Sequence, residues 1–317
     1  MTNTPYPVEL SAPDITPYRA GNTGVEYVTT FDSGRPGPHA MVAGLVHGNE
    51  LCGALAIDAL FKADVRPLKG RLTLALMNVR AFERFDPARP EDSRFAEEDF
   101  NRVWGIEALE GDRNSIELDR ARKIRPIVDT VDCLLDLHSM QHPTVPLALC
   151  GPTGKGRAFA RGLGCPEHIM ADQGHAAGKR LRDYGAFADE SAHHNAVLIE
   201  CGQHWAKTSE AIARKITARF LYLQGTISLE DAVALAPDLN ELVPQKVIEV
   251  SGPVTIKTDS FRFAATYVGM EVIEKAGTLI GRDGNEEIRT PYDRCVMIMP
   301  SRHCRKGTTA VRFGRYV

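Results

Sequence analysis

The sequence holds no run approaching the roughly eighteen apolar residues that a membrane-spanning helix needs. Its opening, Met1-Thr2-Asn3-Thr4-Pro5-Tyr6-Pro7, lacks the basic and then apolar order of a secretory signal, so the expectation is a cytoplasmic protein with no membrane partner. A basic surplus is missing too. With 38 Lys and Arg against 41 Asp and Glu, the formal net charge is -3 at pH 7. That leaves nothing to neutralise a phosphate backbone, which points away from nucleic acid and toward a small molecule. The seven cysteines (52, 133, 150, 165, 201, 295 and 304) include no C-x-x-C pair, and several sit inside apolar runs. They read as reduced, mostly buried thiols rather than as a disulfide framework or a structural zinc knuckle. The phosphate-loop pattern G-x-x-x-x-G-K-[ST] is absent, and Gly151-Pro152-Thr153-Gly154-Lys155-Gly156 reads as a turn. There is no repeat of 20 to 50 residues and no low-complexity tract.

What is present is an alternation of strand-like and helix-like segments over 317 residues, 43% of them hydrophobic, enough for one large domain or two smaller ones. Residues 25–31, rich in β-branched and aromatic side chains, predict a strand that runs into a Gly- and Pro-bearing loop. The apolar run 40–45, a helical pattern from Glu50 to about Ala63 and the strand-like 72–77 make a βαβ unit, and hence a parallel sheet. Residues 80–115 show no sustained periodicity. A connection that long inside a compact domain is usually functional, so it is expected to line the site. Ser115 opens a helical pattern through Val128, with Pro126 placed to bend or end it. Strands follow at 133–138 and 145–150, then a helix at 157–163, a second polar loop expected to line the site at 172–195, a buried strand at 196–202 and an amphipathic helix at 207–225. The character changes between Pro237 and Pro244. Beyond it come short β-like runs at 246–250, 254–256, 266–268, 278–280 and 295–299, broken by turns such as Ser251-Gly252-Pro253. The expected organisation is an α/β domain over 1–240 and a small β barrel or sandwich over 241–317.

Chemistry concentrates where apolar strands end. Val46-His47-Gly48-Asn49-Glu50 stands between the run 40–45 and the helix after it, at the carboxyl end of a strand, where open α/β sheets hold their ligands. An imidazole and a carboxylate three residues apart suit a catalytic zinc ion, which takes three protein ligands and leaves one position for water. At this point two readings are open, because His47 could be a hydrogen-bonded core histidine and Glu50 a first-turn acid favoured by the helix dipole. Asp136 and His138 are two apart in the next strand and share a face, and polar groups at the end of a central strand are costly to bury without a task. His138 is the candidate third ligand and Asp136 a group that orients it; His142 is a weaker candidate. Glu200 repeats the pattern at the end of 196–202, where a catalytic carboxylate and a buried glutamate paired with an arginine are both open readings.

Four motifs then occur in order: His47-Gly48-Asn49-Glu50, Asp99-Phe100-Asn101-Arg102, Asp136-Leu137-His138-Ser139 and Ile199-Glu200-Cys201-Gly202. Together with the closing stretches 274–281 and 288–293 they resemble the aspartoacylase and succinylglutamate desuccinylase family of the zinc carboxypeptidase superfamily. The resemblance covers most of the chain. It implies a zinc-carboxypeptidase-like fold, with a mixed, largely parallel sheet flanked by helices and a small C-terminal all-β domain. It also implies one Zn2+ per chain on His47, Glu50 and His138, and Glu200 as the general base. Arg94 takes the place of the family's oxyanion-supporting arginine, Asn101 and Arg102 that of the pair that grips the substrate carboxylate, and Tyr292 that of a substrate-contacting tyrosine.

The chain departs from the family in two places. About ten residues before the base, where aspartoacylases carry another substrate-gripping arginine, it has Glu190, and the nearest basic residues are Lys179, Arg180 and Arg182. After the base stands Gln203-His204-Trp205 in place of a proline-bearing stretch. The expectation is a zinc amidohydrolase acting on an N-acyl amino acid with a free carboxylate. A zinc carboxypeptidase for short peptides and a binding protein that keeps the fold without turnover are the alternatives, and the sequence leaves a homo-oligomer open.

Overall fold

The structure is a computed structural model that describes residues 6–174 and 177–317. The polar loop 172–195 therefore includes two residues, His175 and Ala176, outside the described residues, as are the first five residues of the opening stretch. In chain order the elements are β1 (Val28–Asp32), β2 (His39–Gly44), α1 (Leu51–Lys62), β3 (Arg71–Leu76), α2 (Val79–Phe82), α3 (Ile106–Glu110), α4 (Ile116–Val128), β4 (Cys133–Met140), β5 (Leu147–Leu149), α5 (Gly154–Leu163), β6 (His168–Ala171), β7 (Asn195–Gln203), α6 (Lys207–Leu223) and α7 (Leu229–Leu235). The C-terminal strands are β8 (Lys246–Thr255), β9 (Arg262–Phe263), β10 (Val272–Ile273), β11 (Leu279–Asp283), β12 (Glu286–Arg289), β13 (Cys295–Ile298) and β14 (Thr309–Tyr316).

Eleven strands form one sheet in the order β1-β3-β2-β4-β7-β5-β6-β8-β14-β13-β10, and β12-β11-β9 form a second, three-stranded one. At the centre β2, β4 and β7 are neighbours and parallel. Every residue of β2 is buried, and β4 and β7 are buried but for their first residues, the unalternating apolar pattern of strands covered on both faces. Helix α1 lies close to β2 because two glycines meet: a Cβ on Gly44 would stand 2.7 Å from the backbone of Gly53.

Caps explain several element limits. The Ser115 side chain accepts from the Leu118 N–H and starts α4 where the sequence predicts it. Pro126 lies in the last turn, so α4 runs two residues past it to Val128. Thr153 caps α5 through the Gly156 N–H, which begins that helix three residues before the predicted 157. The C-terminal strands pair antiparallel among themselves, but β8, β14, β13 and β10 continue the main sheet. Strand β8 pairs in parallel with β6, and β14 then pairs with β8. The two strands predicted at 246–250 and 254–256 are one strand, since Gly252 and Pro253 keep partners in β14 and a register shift between Phe313 and Gly314 absorbs the irregularity. The predicted strand at 266–268 is not formed. Among the described residues no helix is long and apolar enough to cross a membrane.

Candidate metal centre and active site

The carboxyl ends of β2, β4 and β7 converge on one place. Just past β2, Leu45 has φ 58°, a left-handed conformation that costs an ordinary residue about 1–2 kcal/mol. It turns the chain sharply into the segment carrying His47. Gly48 fits there for lack of a side chain, because a Cβ would stand 2.4 Å from the Phe82 nitrogen and 2.5 Å from the Ser93 oxygen. Buried Trp205 donates its Nε1–H to the Asn49 carbonyl at 3.1 Å, fixing the same turn from β7's side. Glu50 is the N-cap of α1, so its carboxylate sits where the helix dipole favours negative charge.

His47, Glu50 and His138 are all buried, and one ligand atom from each lies within 4.8 Å of the others. The two oxygens of Glu50 face one histidine each: Oε1 is 2.8 Å from Nδ1 of His47, and Oε2 is 2.9 Å from Nδ1 of His138. The far nitrogen of each ring meets a carboxylate. Nε2 of His47 is 2.9 Å from Oδ1 of Asp99, and Nε2 of His138 is 3.1 Å from Oδ1 of Asp136. A carboxylate behind each imidazole fixes its orientation and raises its basicity as a ligand, the arrangement usual for metal-binding histidines. The backbone N–H of Ser139 donates to Oε2 of Glu50 at 3.1 Å. Glu200 is the register partner of His138 on the adjacent strand, and its Oε2 is buried without a hydrogen-bond partner among the described residues.

Charge within this group is tightly balanced. Burial works against ionised Glu50, but His47 and His138 hold its carboxyl well below the usual range. Burial likewise opposes the charged form of His138, and the Asp136 and Glu50 carboxylates override it and raise the imidazole's pKa. Asp99 is held well below the usual range, against burial, by His47 and Arg94. Glu200 goes the other way, pushed up to about 8 by burial and then by the Glu50 charge. In the metal-free chain, burial and the Glu50 charge thus favour the protonated form of Glu200.

Arg94 and Asp99 come from the loop between α2 and α3, which lines the site as expected. Arg94 reaches Oε1 of Glu50 and Oδ2 of Asp99, both at 3.3 Å. Arg102 donates to the Asn101 carbonyl at 2.6 Å and lies 3.9 Å from Asp99. Asn101 is buried, and its Oδ1 accepts the Leu181 N–H at 2.9 Å, so it joins this loop to the second polar loop. Tyr292 is not brought to the group. Its hydroxyl is 2.7 Å from Ser251 Oγ and its ring lies under the Arg315 guanidinium, contacts that hold it within the C-terminal strands. His142 is engaged by the Tyr6 hydroxyl at 3.0 Å.

Four residues of the group's surroundings had no role assigned from the sequence. Asp99 was quoted within its motif without a role; its signal was that motif, since its partner His47 is 52 residues away. His204 is buried, bonded to Ser139 Oγ at 2.8 Å and 4.0 Å from Glu50, with its pKa pushed down to about 4, chiefly by burial. Buried Arg180 pairs with Asp172 at 2.7 Å and with Asp183 at 2.5 Å. Buried Arg312, on β14, has Asp172, Arg180, Arg102 and Glu200 as its charged neighbours. Glu190, where an arginine was sought, accepts the Gly154 and Lys155 N–H groups at the start of α5.

Two imidazoles and a carboxylate turned to a common centre, with an unpartnered buried oxygen on the neighbouring strand, are a donor set able to hold a metal ion. The model of the succinylglutamate desuccinylase/aspartoacylase catalytic domain matches residues 36–224. Among solved structures, a succinylglutamate desuccinylase from Vibrio cholerae is similar, with a TM-score of 0.65 at 16% identity over 92% of this chain and 86% of that one. A succinylglutamate desuccinylase/aspartoacylase from Rhodobacter sphaeroides has a TM-score of 0.63 at 16% identity, over 92% and 90% of the two chains. An ectoine utilization protein from Ruegeria pomeroyi, solved with product bound, has a TM-score of 0.60 at 17% identity, over 93% and 92%. At these identities the likeness shows the fold. Comparison with curated protein sequences gave no match.

Proposed function

The chain belongs to the succinylglutamate desuccinylase/aspartoacylase family, and from that premise we propose that it is a cytoplasmic zinc-dependent amidohydrolase that cleaves the amide of an N-acyl amino acid bearing a free carboxylate. The observation that carries the reading is the convergence of His47, Glu50 and His138 beside the unpartnered oxygen of Glu200. Zinc, when bound by those three residues, polarises the amide carbonyl and brings the pKa of the attacking water toward neutrality. Glu200 takes the proton from that water on Oε2 and then passes it to the leaving amine nitrogen. Arg94, held between Glu50 and Asp99, supplies fixed positive charge to the oxygen on which negative charge develops.

Asn101 and Arg102 bind the substrate carboxylate, and the buried arginines around them support an anionic substrate. Arg94, Arg180 and Arg312 all contribute to the electrostatic environment of Arg102 or Glu200. The proposed catalytic groups lie in 1–240, and 241–317 contributes Arg312, whose charge is felt by Arg102 and Glu200. The test is a panel of N-acetyl, N-succinyl and N-formyl amino acids, each with its carboxyl-amidated counterpart, assayed for released amine. Release from at least one free acid is expected, with its amide a poor substrate. A panel without release, or amides cleaved as well as acids, contradicts the reading.

A further inference from the structure

The same two strands that carry His138 and Glu200 begin, at their opposite, amino ends, beside a second cluster of ligand-type side chains. Asp132 immediately precedes β4, and His193 and His194 immediately precede β7. One ligand atom from each lies within 4.8 Å of the others. Nε2 of His193 is 2.9 Å, and Nε2 of His194 is 4.0 Å, from the same Oδ1 of Asp132, and the two imidazole centroids are 3.9 Å apart. Tetrahedral ligands at about 2.1 Å from a zinc ion are separated from each other by roughly 3.4 Å. The two separations from Asp132 Oδ1, 2.9 and 4.0 Å, lie on either side of that spacing.

The carboxylate is fixed in advance. Its Oδ2 accepts the His39 N–H at 2.7 Å, which leaves Oδ1 turned to the histidines. The Asp132 backbone is tied on both sides, its N–H to the His39 carbonyl at 2.9 Å and its carbonyl to the Asn195 N–H at 2.7 Å. The donors therefore stand on paired strand ends. The histidine rings are reachable from solvent, with side chains 74% and 26% exposed for His193 and His194, and Nδ1 of His194 is buried with no hydrogen-bond partner among the described residues.

We propose that Asp132, His193 and His194 form a second divalent-cation site, selective for zinc or another ion that favours imidazole, at the other end of the strands that carry the catalytic groups. Two imidazoles and one carboxylate match zinc's preferences and are a poor set for calcium or magnesium, which take oxygen ligands. Solvent completes the coordination on the exposed side. An ion bound there ties the amino ends of β4 and β7 together and stabilises the folded chain by binding it in preference to the unfolded one.

The test equilibrates four forms of the full chain in zinc-buffered solution: the wild type, a double variant with His193→Gln and His194→Gln, Asp132→Asn, and His47→Ala. Bound zinc per chain is then measured by elemental analysis, and Tm with and without zinc. The wild type is expected to hold one equivalent more than the double variant and than Asp132→Asn. His47→Ala is expected to keep that equivalent and to keep a zinc-dependent rise in Tm, which disappears when the double substitution is added. Amide hydrolysis by the double variant should match that of the wild type. The proposal is overturned by a double variant that holds as much zinc as the wild type, or by a zinc-dependent Tm rise in His47→Ala that survives the double substitution.

Discussion

His47 and His138 each use both ring nitrogens, Nδ1 toward Glu50 and Nε2 toward the carboxylates of Asp99 and Asp136. Glu200, the register partner of His138 on the adjacent strand, has instead an oxygen with no hydrogen-bond partner among the described residues. Glu200→Gln preserves the shape and should retain the metal, while the rate falls by about two to four orders of magnitude; near-normal turnover would place the base elsewhere. Glu200 also predicts a pH effect on stability in the metal-free protein. Burial and the Glu50 charge push its carboxyl up to about 8 in the folded chain from its ordinary value of 4.5. Between those values the folded state holds a proton that the unfolded state has lost, so stability falls as pH rises through that window. The Tm of chelated Glu200→Gln should therefore gain on the wild type between pH 5 and 8, and a constant difference would contradict the assignment. Arg102→Lys keeps the charge but loses the planar fork, so kcat/KM should drop by roughly one to three orders of magnitude. For an amidated substrate the further drop should be small, and equal losses for acid and amide would separate Arg102 from the carboxylate. Strand-end position singled out His47, Glu50, His138 and Glu200, since ionisable groups there are costly without a task. It left a catalytic and a paired-core reading open for His47, Glu50 and Glu200 until the four motifs were taken together. Asp99 and Arg312 were not singled out: the histidine that Asp99 meets, His47, is 52 residues away, and the charged neighbours of Arg312 are all distant in sequence.

The loop between α2 and α3 carries Arg94, Asp99, Asn101 and Arg102, and its shape comes from outside itself. Glu117, buried in the first turn of α4, accepts the N–H groups of Ala96, Glu97 and Glu98 and the Asn78 side chain. Hydrogen bonds to a charged acceptor contribute about 1.5 to 3 kcal/mol each, so this one carboxylate fixes the loop's path past the His47, Glu50 and His138 cluster. Glu117→Ala should lower kcat by about tenfold or more, leave bound metal in place and make the loop more open to proteolysis. Unchanged kcat and protease resistance would show that the loop holds its own conformation. Ser115 and the apolar spacing made α4 readable, whereas the acceptor role of Glu117 was hidden, because its partners are backbone groups in a segment without periodicity. Strand β6 and helix α7 escaped for another reason: at four and seven residues they are too short for a period to register.

At the scale of the whole molecule, the core and the main sheet both run across the change in character between Pro237 and Pro244. Met140, Leu147, Leu149, Met170 and Leu198 pack in one cluster with Ile248, Val296 and Ile298, and the β6–β8 pairing carries the sheet across the boundary. Arg302 and His303 reach back to Glu91 on the site-lining loop, and the Arg302 N–H donates to the Gln141 side chain at 3.0 Å. Local patterning reveals strands but not which sheet they join, so the C-terminal run read as a separate small barrel or sandwich. Residues 1–240 made alone should expose the β6 edge and half of that apolar cluster, and should aggregate or lose bound metal; a soluble, metal-retaining fragment would show the two parts to be independent. The measurement that bears most directly on a zinc amidohydrolase is amine release from the best N-acyl amino acid by chelated protein, followed as zinc is restored in steps. Activity should be absent at the start and rise to a plateau with zinc, and His47→Ala should stay inactive throughout. Full activity before any zinc is added, or an active His47→Ala, would contradict it.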